Sequence, residues 1–401
     1  MERQILHIDV NNAFLSWTAI EMLKNGEKID IRTIPSVIGG DESRRAGIVL
    51  AKSNLAKTFD IYTGETLYSA RKKCPSLKVY STNFKIYKKY SDALYRLLLN
   101  YTDKIERFSI DECFLDMTEY LMGSTLLQKA IEINKRVKEE LGFTVNIGLG
   151  NNRLLAKMAS DFEKPDKIHT LFKNEIKNKM WNLPVSELFM LGKKTVPKLQ
   201  NMKIKTIGDL ANTDKNKIVK QFGNFGNMIW EYANGIDNSE VNYKEEQPKG
   251  IGNSVTLPRD ISENEKLEEV LLSLTEKVTY RLRKYNLIAN VVNVQLRNKD
   301  FENFSHQKKL ITPTASTKEI FLLAKELLVE LHKGNEPIRL IGVRVDNLEN
   351  KEQLQMSLFE IDKKQDKIDE VIDNLKDKYG YNFITRAGKM NVEEIVKFKA
   401  K

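Results

Sequence analysis

The sequence predicts an α+β chain of several domains, and three observations carry that expectation. Strand-like and helix-like segments alternate through residues 1–165, as they do when elements pack in layers around a sheet. A lysine-rich stretch of short helical segments follows, to residue 237. Residues 250–348 then read strand, helix, strand, strand, helix, strand, the ferredoxin-like order.

Taken in order, Ile5 to Val10 has the β-branched content of a strand. Asn11-Asn12 supplies N-cap residue types, and Ala13 to Lys24 keeps helical spacing through Phe14, Trp17, Ile20 and Leu23. The unpaired amides of such a helix start favour anions, and Asp9 stands beside them. A divalent cation bridging protein and phosphate fits this layout; so does an ordinary strand–helix junction with an exposed Asp. Residues 33–79 form a basic insertion. Its Gly39-Gly40-Asp41-Glu42 resembles a motif of the cyclic-dinucleotide synthases, but Ser43-Arg44-Arg45 follows where that family usually has Phe. A solvated turn is expected there. Gly47 to Ala51 reads as a strand, Asn54 to Lys57 opens a helix, and Arg71-Lys72-Lys73 reads as a solvated face.

Asp92 to Leu99 has helical spacing and leads to Ile105–Asp116, in which Phe108, Ile110, Phe114 and Leu115 suit half-buried strands on either side of Asp111-Glu112. Neighbours in a straight strand point to opposite faces. At the tip of a hairpin both carboxylates can reach one point, where their repulsion and lost hydration ask for a cation. A solvated Asp-Glu turn is the competing reading. An amphipathic helix (Leu126 to Leu141), a strand (Phe143 to Gly150) and a helix (Asn151 to Asp161) complete this region.

Between Leu191 and Lys220 eight lysines face two aspartates. There Gly192-Lys193-Lys194 reads as the hairpin of a helix–hairpin–helix, which offers backbone amides to a DNA phosphate without reading sequence; a plain αα-turn fits as well. Residues 238–249 are polar and read as a linker. The expected strands of the next unit are Ile251–Leu257, Ala289–Arg297, Phe304–Ile311 and Ile338–Val345. Beyond Leu348 the chain turns polar around one apolar island at Gln355, Leu358 and Phe359, which reads either as a docking peptide or as a chance cluster. A charged helix is expected from Lys364 to Lys378, with Ile368, Val371, Ile372 and Leu375 as its apolar face.

Composition narrows the function classes. The net charge of +10 admits a polyanionic partner without requiring one. Cys74 and Cys113 are the only cysteines, which excludes a disulfide framework or a cysteine-based zinc site and fits a reducing cytoplasm. No run approaches the roughly 18 apolar residues of a membrane span, and no signal peptide or membrane association is expected.

His7-Ile8-Asp9-Val10-Asn11-Asn12-Ala13-Phe14, Ser109-Ile110-Asp111-Glu112 and Lys164-Pro165-Asp166, in that order, resemble the motifs of Y-family translesion DNA polymerases, nearest to the bacterial UmuC-like and polymerase IV-like enzymes. The resemblance spans about residues 1–348, and the tail is similar to a sliding-clamp-binding peptide. It implies a polymerase right hand: palm at 1–25 and 78–166, fingers at 26–77, a helix–hairpin–helix thumb at 167–237, a linker at 238–249, a little finger at 250–348, and a tail at 349–401. It implies template-directed, low-fidelity DNA synthesis with two Mg²⁺ ions held by Asp9, Asp111, Glu112 and the Val10 carbonyl. Asp111 would bridge the ions as Asp9 does, and Glu112 would serve the one at the primer hydroxyl. Asn11, Asn12 and Ala13 would line the nucleotide site, the last two through backbone amides, with Lys164 on the phosphates and Phe14 as steric gate against a 2′-hydroxyl. Gly192, Lys193 and Lys194 would touch primer–template DNA; Gln355, Leu358 and Phe359 would bind the clamp. A monomer in the bacterial cytoplasm, on the nucleoid, is expected.

Three positions depart from the family pattern. Asn54 and Lys57 stand where a Tyr and an Arg usually contact the triphosphate, so a phenol donor and a bidentate fork are lost. Leu50 falls where the nascent base pair is roofed, often by a smaller residue. Two rival readings stay in view: a non-catalytic DNA- and clamp-binding factor, which would lack one of the carboxylates, and a palm-based nucleotide cyclase, which needs neither the hairpin nor the tail peptide.

Overall fold

The computed structural model describes residues 2–42, 45, 47–244, 246–333, 336–351, 363–381 and 383–384. The chain divides into two compact units, one of residues 1–40 and 49–245, the other of residues 41–48 and 246–401.

The first unit is built on strand β1 (Ile5–Val10) and helix α1 (Ala13–Lys24), as the sequence predicts. The insertion holds β2 (Ser36–Gly39), β3 (Val49–Lys52), the single turn α2 (Asn54–Lys57), α3 (Leu67–Lys73) and β4 (Lys78–Ser81). Of its three strands only β3 was expected; four-residue strands among basic residues leave little periodicity to read. They form their own small sheet, ordered β3-β2-β4.

Helix α4 runs from Phe84 to Leu98, longer than expected because Asn83 caps it by accepting the amide of Ile86. Then come β5 (Ile105–Arg107), β6 (Glu112–Asp116), α5 (Leu126–Arg136), β7 (Val145–Gly150), α6 (Arg153–Asp161) and β8 (Ile168–Leu171). The main sheet is ordered β5-β6-β1-β7-β8, antiparallel except for β7 with β8. The hairpin strands are shorter than predicted. Phe108 to Asp111 form the turn, closed by the Phe108 and Ser109 amides on the Glu112 carbonyl, and Phe108 is exposed.

Both faces of β1 are covered, which is why all six of its residues are buried. Leu6, Ile8 and Val10 join the core with α1, α4 and α5. The alternate residues Ile5, His7 and Asp9 face α6, where Ile5 packs with Phe114 and Ala156. Helix α6 lies unusually close to the sheet. A Cβ at Gly148 would stand 2.0 Å from the Ala156 carbonyl oxygen, so only glycine permits that approach.

The lysine-rich stretch holds four helices, α7 (Val196–Asn201), α8 (Ile207–Asn212), α9 (Lys215–Phe222) and α10 (Asn224–Ala233). Gly192, Lys193 and Lys194 form an exposed loop just before α7, and the left-handed residue near it is Met190 rather than Gly192.

The second unit contains β9 (Gly250–Ile261), α11 (Asn264–Lys284), β10 (Leu287–Asn298), β11 (Asn303–Thr314), α12 (Thr317–Leu331) and β12 (Ile338–Asn350). Its element order matches the expectation, and its strands are ordered β11-β10-β12-β9. The last strand therefore lies between the first two, where a ferredoxin-like sheet places the third. Helix α13 (Lys363–Tyr379) corrects the reading of the tail. Its inward residues are Asp369, Asp373 and Lys376, while Ile368 and Val371 are exposed. Asp369 accepts the Thr317 amide at the start of α12 at 2.9 Å, and Arg283 donates to both oxygens of Asp373 at 2.6 and 2.9 Å. Specific ion pairs override apolar spacing there. Gln355, Leu358 and Phe359 lie outside the described residues. Among the described residues, no helix is long and apolar enough to cross a membrane.

Candidate active site

Asp9 on β1 and Glu112 on β6 are direct cross-strand partners on the face turned to α6. Asp111 stands one residue earlier, in the turn, its carbonyl accepting the Val10 amide at 3.0 Å. Its carboxylate accepts from the Ser109 hydroxyl at 2.6 Å. All three carboxylates line one cavity of about 310 Å³, together with Val10, Asn11, Asn12, Ala13, Phe14, Lys57 and Lys164. Asp9, about a hundred residues away in sequence, is thus brought to the same cavity as the adjacent Asp111 and Glu112.

The helix start differs from the expectation in a useful way. Asn12 sits at the N-cap of α1 but in the left-handed region (φ 48°), and its side chain caps nothing. Asparagine tolerates this conformation better than most residues. Its side-chain amide instead reaches Asn54 Oδ1 at 3.4 Å. The amides of the first turn are thereby left for an anion. Asn11 plays another part. Its amide bonds the Thr144 carbonyl, its side chain bonds Asn146, Thr144 and the Asp166 amide, and its carbonyl accepts from Ser16. Asn11 braces the floor of the cavity, and its polar groups are already engaged.

Phe14 stacks on Tyr87, with ring centroids 4.3 Å apart and planes 8° from parallel. Tyr87 is itself wholly buried, so the ring at the cavity wall is fixed from behind. Asn54 and Lys57 sit on α2; Lys57 lines the cavity, whereas Asn54 does not and meets its wall through Asn12. Lys52 and Thr63 also line it, as does Leu50. Lys52 and Thr63 were not singled out by sequence, because neither belongs to a motif.

Charge is arranged closely. Lys164 Nζ stands 2.5 Å from Asp9 Oδ2 and 2.8 Å from Asp161 Oδ1. Burial alone would lower its pKa, but the Asp9 and Asp161 carboxylates outweigh it and hold the ammonium at about 12. Burial pushes both Asp9 and Glu112 above the usual carboxylate range, against the pull of Lys164 on the first and Lys157 on the second. Lys157 is the residue that sequence reasoning missed. It is buried on α6 with Nζ 2.9 Å from Glu112 Oε1. A signal was present: a lysine inside the apolar run from Leu154 to Met158, four residues before Asp161. Behind it His7 Nδ1 lies 2.8 Å from the Ser160 hydroxyl, whose hydrogen goes to the Lys157 carbonyl. Burial holds His7 well below 6.5, hence neutral.

Oxygen donors of this kind suit hard divalent cations. Among the described residues, no group of three acidic, histidine or cysteine side chains converges as a finished metal cage. The carboxylates around the cavity supply the donor types; Asp9 and Glu112 are partnered by ammonium groups and Asp111 by the Ser109 hydroxyl. Gly192, Lys193 and Lys194 are all exposed and lie in a separate part of the chain.

Comparison with known proteins shows the family of the chain. The impB/mucB/samB family matches residues 8–161, and the C-terminal domain of that family matches residues 248–358. The chain is 50% identical over 396 residues to a DNA polymerase IV of Clostridium acetobutylicum, covering 98% of this chain and 100% of the relative. It is 34% identical to DNA polymerase IV 1 of Bacillus subtilis, covering 98% and 94%. Among solved structures, a Y-family DNA polymerase chimera superposes with a TM-score of 0.76 at 23% identity, covering 86% of this chain and 98% of its own.

Proposed function

The chain belongs to the impB/mucB/samB family of Y-family DNA polymerases, and from that premise we propose how its cavity performs template-directed DNA synthesis. The enzyme is a DNA-directed DNA polymerase of the low-fidelity, lesion-bypassing kind. The single observation that carries the site assignment is the convergence of Asp9, Asp111 and Glu112 on a cavity that also contains the free amides of a helix start.

In the reaction, the primer 3′-oxygen forms a bond to the α-phosphorus of the incoming deoxynucleotide, the bond to the bridging oxygen breaks, and pyrophosphate leaves with that electron pair. The 3′-hydroxyl gives up its proton. Enzymes of this family depend on divalent metal; our reading is two Mg²⁺ ions, held by Asp9, Asp111, Glu112 and the Val10 carbonyl. Ions held there would acidify the hydroxyl and would screen the charge on the triphosphate and the departing pyrophosphate.

The remaining work falls to the chain itself. Backbone amides of Asn12 and Ala13 receive phosphate oxygens. Lys57 and Lys164 meet the triphosphate as point charges. Asn54 takes part through Asn12, which it orients, in place of a direct phenol contact. Phe14, fixed by Tyr87, fills the space beneath the sugar and excludes a 2′-hydroxyl. Leu50 forms the wall over the base pair. Gly192, Lys193 and Lys194 grip the DNA backbone, so binding weakens steeply with salt. Gln355, Leu358 and Phe359 dock a sliding clamp on an otherwise monomeric enzyme, in the cytoplasm and on the nucleoid.

Primer extension with Mg²⁺ and deoxynucleotides tests the assignment. Wild type extends and Asp111→Ala does not; equal extension by both would remove the carboxylates from catalysis. Replacing Leu358 and Phe359 by Ala abolishes stimulation by the clamp and leaves basal extension intact. Retained stimulation would reject the docking peptide.

A further inference from the structure

Lys157 has no part in the motifs that define the family resemblance, yet it is the most buried ammonium at the site. Its Nζ has three carboxylates around it: Glu112 at 2.9 Å, Asp161 at 3.2 Å and Asp9 at 3.8 Å. An ammonium persists in an interior only where charged partners replace its lost hydration. Lys164 closes the network from the other side, on Asp9 and Asp161. Asp9, Glu112 and Asp161 thus share two ammoniums while Asp111 meets only the Ser109 hydroxyl, and the cluster is only partly neutralised.

Two further facts assign the roles. The oxygens of Asp9 and Glu112 that a cation needs are turned toward nitrogen, and no ready-made cage exists among the described residues. Asp161 touches both lysines, and its side chain is 41% exposed, at the edge of the cluster. It can keep both ammoniums when Asp9 and Glu112 turn elsewhere.

We propose that Lys157 is a resident counter-ion of the catalytic carboxylates: it positions Glu112 and Asp9 while divalent cations are absent and competes with them for the same oxygens, and Asp161 retains the ammonium once they enter. The proposal rests on the metal-dependent nucleotidyl transfer assigned above. It makes cation binding by the free enzyme weak. Loading is completed by the nucleotide, whose triphosphate adds negative charge and gives Lys164 another partner.

The test is Mn²⁺ binding to the full-length protein without DNA or nucleotide, followed by loss of the free-ion paramagnetic resonance signal. Lys157→Met removes the charge and keeps the apolar stem. It binds Mn²⁺ about tenfold more tightly than wild type, since a like charge has left the site. Without metal it melts at a lower temperature, and Mn²⁺ restores the loss. Lys157→Arg keeps the charge and returns the affinity to the wild-type value, which a pure packing role would not require. Asp161→Asn has the opposite sign: both ammoniums fall back on Asp9 and Glu112, and Mn²⁺ binds more weakly. Unchanged or weaker binding by Lys157→Met overturns the proposal. Should that variant not fold, Asp161→Asn decides alone, and unchanged or tighter binding overturns it. A protein that passes these tests and never extends a primer would uphold the counter-ion and reject the polymerase reading, so the two fail separately.

Discussion

At α13 each acid is met by a cation or a strong donor. Arg283 holds both oxygens of Asp373 and reaches Asp369 at 3.5 Å, Asp369 also accepts the amide that opens α12, and the exposed Asp377 is held by Lys284 and Tyr280. At the strand ends of the main sheet the arrangement is different. Asp9 and Glu112 share Lys157, Asp9 and Asp161 share Lys164, and Asp111 is met by a neutral serine hydroxyl. The α13 region also borders a cavity, of about 390 Å³ against about 310 Å³ at the active site. Cavity size therefore does not separate a reaction centre from a structural clasp. What separates them is whether each charge has a settled partner. Acids met by a guanidinium, an ammonium or a backbone amide fix a helix in place, whereas a carboxylate met only by a neutral hydroxyl keeps oxygens that can change partners.

The comparison breaks first at Asp111. If its carboxylate is held for chemistry, Asp111→Ala lowers primer extension by at least about 10³-fold and leaves the melting temperature near that of wild type. A large stability loss with activity retained would make the two regions alike. Arg283→Ala is the converse experiment. It strands Asp369 and Asp373 and costs about 2–3 kcal/mol in denaturant unfolding of the second unit, with Mn²⁺ binding unchanged. Phe14→Ala is read in ribonucleotide use: the ratio of ribo- to deoxynucleotide incorporation rises about 10- to 100-fold, and an unchanged ratio would take the gate away from Phe14. The smallest effect is at the surface. Lys284 and Tyr280 hold the Asp377 carboxyl below its usual range. A depressed folded-state pKa stabilises above the unfolded value and is lost as pH falls through the folded one. Asp377→Asn thus flattens the acid limb of the melting curve below about pH 4, by a few tenths of a kcal/mol at most, because the pair is exposed.

Much of the site was legible because its residues come in short runs. Asp9 is the penultimate residue of β1, the turn ends in Asp111, and each run gives a local signal. Lys157 was not legible, since its partners lie 45 residues away on β6 and 148 residues away on β1, and only the packing of α6 brings them together. Strands β2 and β4 of the insertion were missed for want of length. Phe108 and Ile110 misled because aromatic and β-branched residues suit strands in general, while the carboxylate pair needed a turn just there. On α13 the apolar spacing of Ile368 and Val371 pointed to the wrong face, since Arg283 and the open end of α12 reward acids more than apolar packing rewards isoleucine. The strand order of the second unit is a long-range property, and no segment of its sequence encodes it alone.

Gly148 sets a ruler inside the first unit. Its missing methyl group lets the Ala156 carbonyl rest against β7, and so fixes how far the next residue, Lys157, stands from the carboxylates of β1 and β6. An alanine at 148 would touch neither substrate nor cavity, yet would lift α6 by the width of a methyl group. The tolerance of this active site is therefore governed from underneath, by a position whose only chemical property is being small.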